Sequence, residues 1–165
     1  MGSMVKIRFP AAAAVCATFI LAGVASVNAA TVAVGADEPA VVKAMGKPKA
    51  RHTLPGGATR LVYPRGPAGQ GTTMVDLGAD GRVISVREVL GEKQLAALPI
   101  GMTEEELLRE IGPPSERQKN AKTTTWSYRY PTSLCLWYQI TIGADHRMQG
   151  GGIGVDPRCD PNKNK

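Results

Sequence analysis

Apolar residues fall at helical spacing in two short windows, and each window gives way to alternation with a period of two. Val41, Val42 and Met45 form the first stripe; Leu107, Leu108 and Ile111 form the second. Such spacing turns one face of a helix toward a core. The punctuation of the second window agrees. Thr103 is a natural N-cap, Glu106 completes a capping box, and Met102 before the cap can staple onto Leu107. Glu104, Glu105 and Glu106 put negative charge on the positive end of the helix dipole. Gly112 suits a left-handed C-cap, and Pro113 and Pro114 forbid continuation. The first window is capped by Asp37, opens with Glu38 and Pro39, and stops at Gly46 with Pro48 behind it. A further short helix is predicted over 92–98, closed by Pro99.

Strands are predicted over 59–63, 72–77 and 82–89, and again over 124–130, 135–142 and 147–155. In the second set Trp126, Tyr128 and Tyr130 share one face, as do Leu136, Tyr138, Ile140 and Ile142. Residues 143–146 form the last hairpin loop, while the stretch 65–71, with three glycines and a proline, reads as a mobile loop.

The two halves are copies. Gly35, Glu38, Val41, Val42, Met45, Gly46, Pro48 and Arg51 return as Gly101, Glu104, Leu107, Leu108, Ile111, Gly112, Pro114 and Arg117, at a constant offset of 66. Gly78-Ala79-Asp80 with Arg82 returns as Gly143-Ala144-Asp145 with Arg147 at an offset of 65, as do Thr59 and Tyr63 in Thr124 and Tyr128. A repeat held in register through three blocks fixes the architecture. The expected fold is α+β: two tandem units over 31–90 and 91–160, each a helix plus a three-stranded antiparallel sheet with helices on one face. Whether the two sheets join edge to edge stays open.

Residues 4–29 read as a Sec-type signal. Lys6 and Arg8 supply the positive end, Ala11 to Val24 the small apolar core, and Val27-Asn28-Ala29 the cleavage site. That core is shorter than the roughly 20 residues of a membrane span. Met1-Gly2-Ser3 reads as a cloning scar or a misplaced start, and residues 161–165 as a disordered tail. Leu21-Ala22-Gly23 is followed by Val24 where a lipidated Cys would stand, so no acyl anchor is expected. The mature chain has 18 basic residues against 14 acidic, a mild net charge of +4 that does not point to nucleic acid. The charge is uneven, because no Asp or Glu falls between Pro39 and Val75, where Lys43, Lys47, Lys49, Arg51, Arg60 and Arg65 cluster. Such a face is either simply solvated or in contact with an acidic protein partner or anionic lipid at the outer-membrane surface.

Cys16 leaves with the signal, so Cys135 and Cys159 remain in an oxidising compartment and are expected to pair. With the hairpin turning at 143–146, Cys135 lies opposite about Gly154, and Pro157 bends the tail back toward it. A loop of this length corresponds to roughly 3 kcal/mol in the chain-entropy account. His52 and His146 have no ligand spacing to a Cys and read as surface residues in loops or turns. No Ser lies in a G-x-S-x-G setting and no Cys has a plausible His partner. The run Gly150 to Gly154 lacks the Lys-Ser/Thr ending of a phosphate loop; as a bare strand it suits close backbone approach.

The stretch from Gln94 to Pro114, QLAALPIGMTEEELLREIGPP, resembles the SmpA/OmlA (BamE-like) family: a short helix, then G-M-T, a helix with two apolar pairs, and I-G-x-P. The strand over 124–130 and the hairpin after it extend the resemblance to about residue 155. The tandem arrangement is similar in architecture to β-lactamase inhibitor protein. The resemblance implies a non-catalytic periplasmic module that scaffolds outer-membrane assembly or binds an envelope protein, with no cofactor and no metal. The alternative is a secreted or periplasmic inhibitor of a hydrolase, such as a β-lactamase or a cell-wall lytic enzyme. The candidate partner surface comprises Trp126, Tyr128, Tyr130 and Trp137, as aromatic anchors, with Arg51, Arg60 and Arg65. The second copy, with its full capping box, aromatics and disulfide, is expected to hold the fold and the first to vary for a partner.

Overall fold

The computed structural model describes residues 32–66 and 69–159. The signal, residues 1–3 and the tail over 161–165 lie outside the described residues. The elements run α1 (Glu38–Met45), β1 (Ala50–Thr53), β2 (Thr59–Pro64), β3 (Thr72–Leu77), β4 (Val83–Glu88), α2 (Glu92–Ala96), α3 (Glu104–Ile111), β5 (Glu116–Lys119), β6 (Thr124–Arg129), β7 (Leu136–Ile142) and β8 (Met148–Val155). The α+β content stands, but each sheet has four antiparallel strands where three were expected, in the orders β1-β2-β3-β4 and β5-β6-β7-β8.

The added strands, β1 and β5, lie at the same offset of 66 and are the outer strands beside β2 and β6. They carry little apolar alternation: Ala50-Arg51-His52-Thr53 is only half-buried in places, and Glu116-Arg117-Gln118-Lys119 is exposed throughout. Backbone pairing holds them, and the charges of β5 suit an edge that must not recruit another strand. His52 therefore lies in a strand rather than in a loop.

The repeat is reproduced down to single hydrogen bonds. In each unit the hairpin arginine reaches back to the glycine ahead of the helix. Arg82 Nη1 donates to Gly35 O at 3.0 Å, and Arg147 Nη1 to Gly101 O at 2.8 Å. The amides of those glycines donate to Val83 O and Met148 O, both at 2.8 Å. Isolated bridges join Asp37 to Arg82 and Thr103 to Arg147. Asp37 and Thr103 cap their helices, Thr103 in a full box with Glu106. The recurring Gly and Arg thus tie each helix start to its sheet, while the recurring Asp80 and Asp145 hold the hairpin turn by accepting from the Arg82 and Arg147 amides. At the hairpin tip Gly81 (φ 74°) is replaced by His146 (φ 59°), which keeps the left-handed turn and meets Glu104 at 2.9 Å.

The two sheets do not fuse edge to edge, since each is a separate four-stranded set. Nor is the first covered on one face only. Leu61, Tyr63, Val75, Leu77 and Val83 pack with Val41 of α1. Val62 and Met74, which point the other way, share a second core with Leu95 of α2, Leu107 and Ile111 of α3, and the aromatics of the second sheet. Adjacent residues of β2 and β3 are both buried because this sheet has a helix on each face. The layers run α1, first sheet, α2 with α3, second sheet.

Gly112 marks a close approach between the layers. Its φ of 78° matches the 81° of Gly46, and each amide closes its helix onto the fourth residue back. An added Cβ on Gly46 would meet nothing within 4 Å, whereas on Gly112 it would stand 3.0 Å from Thr72 Cγ2 and 3.1 Å from Val62 Cγ1. Gly46→Ala should therefore cost about 1–3 kcal/mol for a positive-φ, extended-ψ backbone that is essentially Gly-only. Gly112→Ala should cost about 1–3 kcal/mol more for overpacking. Urea denaturation of both variants checks this, and equal losses would remove the proposed pinch between the layers.

Candidate functional site

The residues singled out as a partner surface are mostly interior. Trp126, Tyr128 and Tyr130 are 0–2% exposed and face α3. Tyr128 donates its hydroxyl to Gly112 O at 3.2 Å, and its burial pushes its pKa far up. Arg117 of the edge strand lies 4.4 Å from the Trp126 ring centroid. Trp137 does point to the opposite face, yet it is only 6% exposed, with the Arg129 guanidinium 5.2 Å from its ring centroid. The bare strand β8 explains the fit. An added Cβ on Gly154 would stand 3.1 Å from Trp137 Nε1, and one on Gly151 would stand 2.6 Å from the Tyr138 ring. The close approach that the glycines permit is made by rings of this chain, one on each face.

Buried charge is organised around two aspartates that the sequence reading passed over. Arg60, only 6% exposed, forks onto Asp76 at 2.7 and 3.0 Å. Its Nη1 continues across the layers to Arg109 O at 3.0 Å and Glu110 Oε2 at 3.3 Å on α3. Arg60 thus clamps the first sheet to the second unit's helix. Burial alone would raise the Asp76 carboxyl, but hydrogen bonds from Arg60 and Arg87 outweigh it and hold the group below the usual carboxylate range. In the second unit Asp156 is bound by Arg129 and by Arg158 (2.9 Å), with the same balance and the same downward result. Asp156 also closes the C-terminal turn: its amide donates to Cys135 O, and Cys159 donates to Asp156 O. Cys135 and Cys159 form a disulfide with their Cα atoms 6.2 Å apart. Trp137, not Cys135, lies opposite Gly154, because the hairpin's first pair is Ile142 with Met148 and a register shift at Thr141/Ile142 adds one residue more.

A concave site lies in the first unit. A cleft of about 1040 Å³ opens beyond the C-terminus of α1, over the face that α1 covers only in part. Its floor is Tyr63, Thr73 and Val86; its walls include Met45, Pro48 and Pro64; its rim carries Lys47, Lys49 and Arg65. Arg65 is held by Glu88 at 3.1 Å, and Glu88 also accepts from Thr73. Among the described residues Lys47 and Lys49 have no ion-pair partner. Tyr63 is 9% exposed, its hydroxyl is buried without a hydrogen-bond partner, and burial raises its pKa. Tyr130 Oη and His52 Nε2 are the other buried side-chain atoms without one among the described residues. Arg51 is outside the cleft lining and pairs with Glu38, both near enough for their charges to act on Tyr63.

The second copy shows what the cleft replaces. Tyr63 pairs with Thr73 and Tyr128 with Tyr138. Thr73 pairs onward with Glu88, and Tyr138 with Ile153. Where the second unit has the Tyr138 ring lying over Gly151, the first has the short Thr73 beside Val86. The hydroxyl that Tyr128 donates to the helix-end carbonyl is unpaired in Tyr63. The signal was present in the repeat, as a Tyr-to-Thr difference at an offset of 65. Among the described residues no three His, Cys, Asp or Glu side chains come together as for a metal, and no helix is long and apolar enough to cross a membrane.

No family model matches the chain, and no curated protein matches it. Solved structures similar to it include an extracellular protein containing an SCP domain from Bacillus anthracis (14% identity over 93% of this chain, TM-score 0.33). A DUF4309 family protein from Bacillus subtilis follows (15% over 73%, TM-score 0.28), as does a cysteine-rich secretory protein from Staphylococcus aureus (12% over 76%, TM-score 0.30). The chain covers 50%, 78% and 44% of their respective lengths, and at these TM-scores the likenesses carry no argument.

Removing Asp76 strands a buried guanidinium between the layers, so Asp76→Ala should cost about 3–5 kcal/mol. The double change Arg60→Met with Asp76→Leu should cost much less; chemical denaturation of both checks this. Both aspartates have folded pKa values below the unfolded value of about 3.9, so their stabilisation is full above roughly pH 5 and is lost as pH falls through the folded values. Melting temperature should therefore drop steadily below about pH 4. Asp156→Asn should lower it at neutral pH and flatten that acid limb. An unchanged acid limb in the variant would show that Asp156 does not govern it.

Proposed function

We propose that the chain is a non-catalytic protein-binding or scaffold module of the bacterial cell envelope, exported to the periplasm, that meets its partner through the cleft of the first unit. The disulfide supports an oxidising compartment. The resemblance of the stretch from Gln94 to Pro114 to the SmpA/OmlA family supports the envelope. The observation that carries the reading is the difference between the copies: one scaffold, filled by its own tyrosines in the second unit and left open beneath two lysines in the first. A fold that needed only stability would keep both copies filled, since a lost aromatic forfeits apolar burial.

A photo-crosslinking residue in place of Lys47, with Gln118 on the exposed β5 as control, tests this in living envelope. We expect a discrete protein adduct from position 47 and none from 118. Adducts from 118 alone would sink the cleft reading. An adduct with a single soluble hydrolase, inhibited by the purified chain, would replace the scaffold by an inhibitor.

A further inference from the structure

We propose that the cleft recognises a partner segment carrying an aromatic side chain beside carboxylates, a specification that rests on the protein-binding reading above. The aromatic part follows from the internal comparison. The position held by Tyr138 in the second unit is Thr73 in the first, and the space it would fill forms part of the cleft floor. A ring inserted from outside would cover Thr73 from above the Val86 side chain, farther from the sheet than Tyr138, which lies directly on Gly151. The floor and walls are apolar enough for a ring: Tyr63, Val86, Met45 and Pro48.

The acidic part follows from charge. Glu88, the carboxylate in the lining, is neutralised by Arg65, which leaves Lys47 and Lys49 as the rim charges without ion-pair partners among the described residues. A carboxylate on the incoming segment would pair with them at the mouth, where such pairs set specificity and on-rate more than affinity. A cleft of this volume holds a side chain and its neighbours, at the upper end of the range of about 300–1000 Å³ usual for ligand sites.

The test uses three synthetic pentapeptides with blocked ends, Asp-Glu-Phe-Asp-Glu, the same with Ala for Phe, and Gln-Ser-Phe-Ser-Gln, titrated into the 15N-labelled mature protein. The first should bind at least tenfold more tightly than either control and shift the amides of Lys47, Thr73 and Val86. Lys47→Glu with Lys49→Glu should weaken it at least tenfold. Thr73→Tyr with Val86→Gly, which rebuilds the second copy's packing in the first, should abolish binding while the melting temperature holds or rises. Equal binding of the Ala peptide, or unaltered binding by the rebuilt variant, overturns the inference. A crosslinked partner at position 47 together with peptide failure leaves the binding module standing and removes only the aromatic-acidic specification.

Discussion

Everything in this fold depends on α3 being packed from both sides. An eight-residue helix would be marginal alone in water. Here its apolar stripe closes the second sheet while its end is pressed against the first, with Gly112 meeting Val62 and Thr72 on one side and Tyr128 on the other. A side chain at that point would press on Thr72 and Val62, and glycine adopts its positive φ most cheaply. The Arg60 fork then adds direction to the contact. It fixes the first sheet to the last turn of α3 through a carbonyl that the helix leaves unpaired, where cationic groups are favoured.

The same packing explains why the two copies could not stay alike. The first sheet has helices on both faces, whereas the second has helices on one and covers the other with its own Trp137, Arg129 and C-terminal turn, so equivalent positions meet different neighbours. Arg60 became an interior clamp, while its counterpart Thr125 lies half-buried on β6. The second copy carries its own closing devices: tyrosines over bare glycines, and Asp156 tying the tail to β7 beside the disulfide. The first is relieved of part of that task because α3 seals its far face.

The helix punctuation was legible in sequence because caps and stops are local chemistry. Asp37, Thr103, Glu106, Gly46 and Gly112 do what their residue types dictate. The strands with apolar alternation were legible for the same reason, to within a residue or two. β1 and β5 were not, because an edge strand is held by backbone pairing and leaves little periodicity in its side chains. Burial of Arg60 and Trp137 was not legible either. A run of basic residues without acids looks solvated until the fold brings Asp76 from another strand. Trp137 looks like an exposed anchor until Arg129 stacks beside it.

Duplication makes the remaining openness informative. In a single unit, a cleft beside a helix end could be no more than imperfect packing. Here the same backbone is seen packed well elsewhere in the chain, with the tyrosine, the glycine and the hydroxyl–carbonyl bond that do it. The first copy keeps Tyr63 and the helix stop Gly46, yet lacks the partner ring and the bond. Several of its departures meet at that one place, and two lysines without ion-pair partners among the described residues line it. The other departures each come with a packing partner inside the chain, as Arg60 does with Asp76, whereas this charged gap has none, which is what an outside occupant would leave behind.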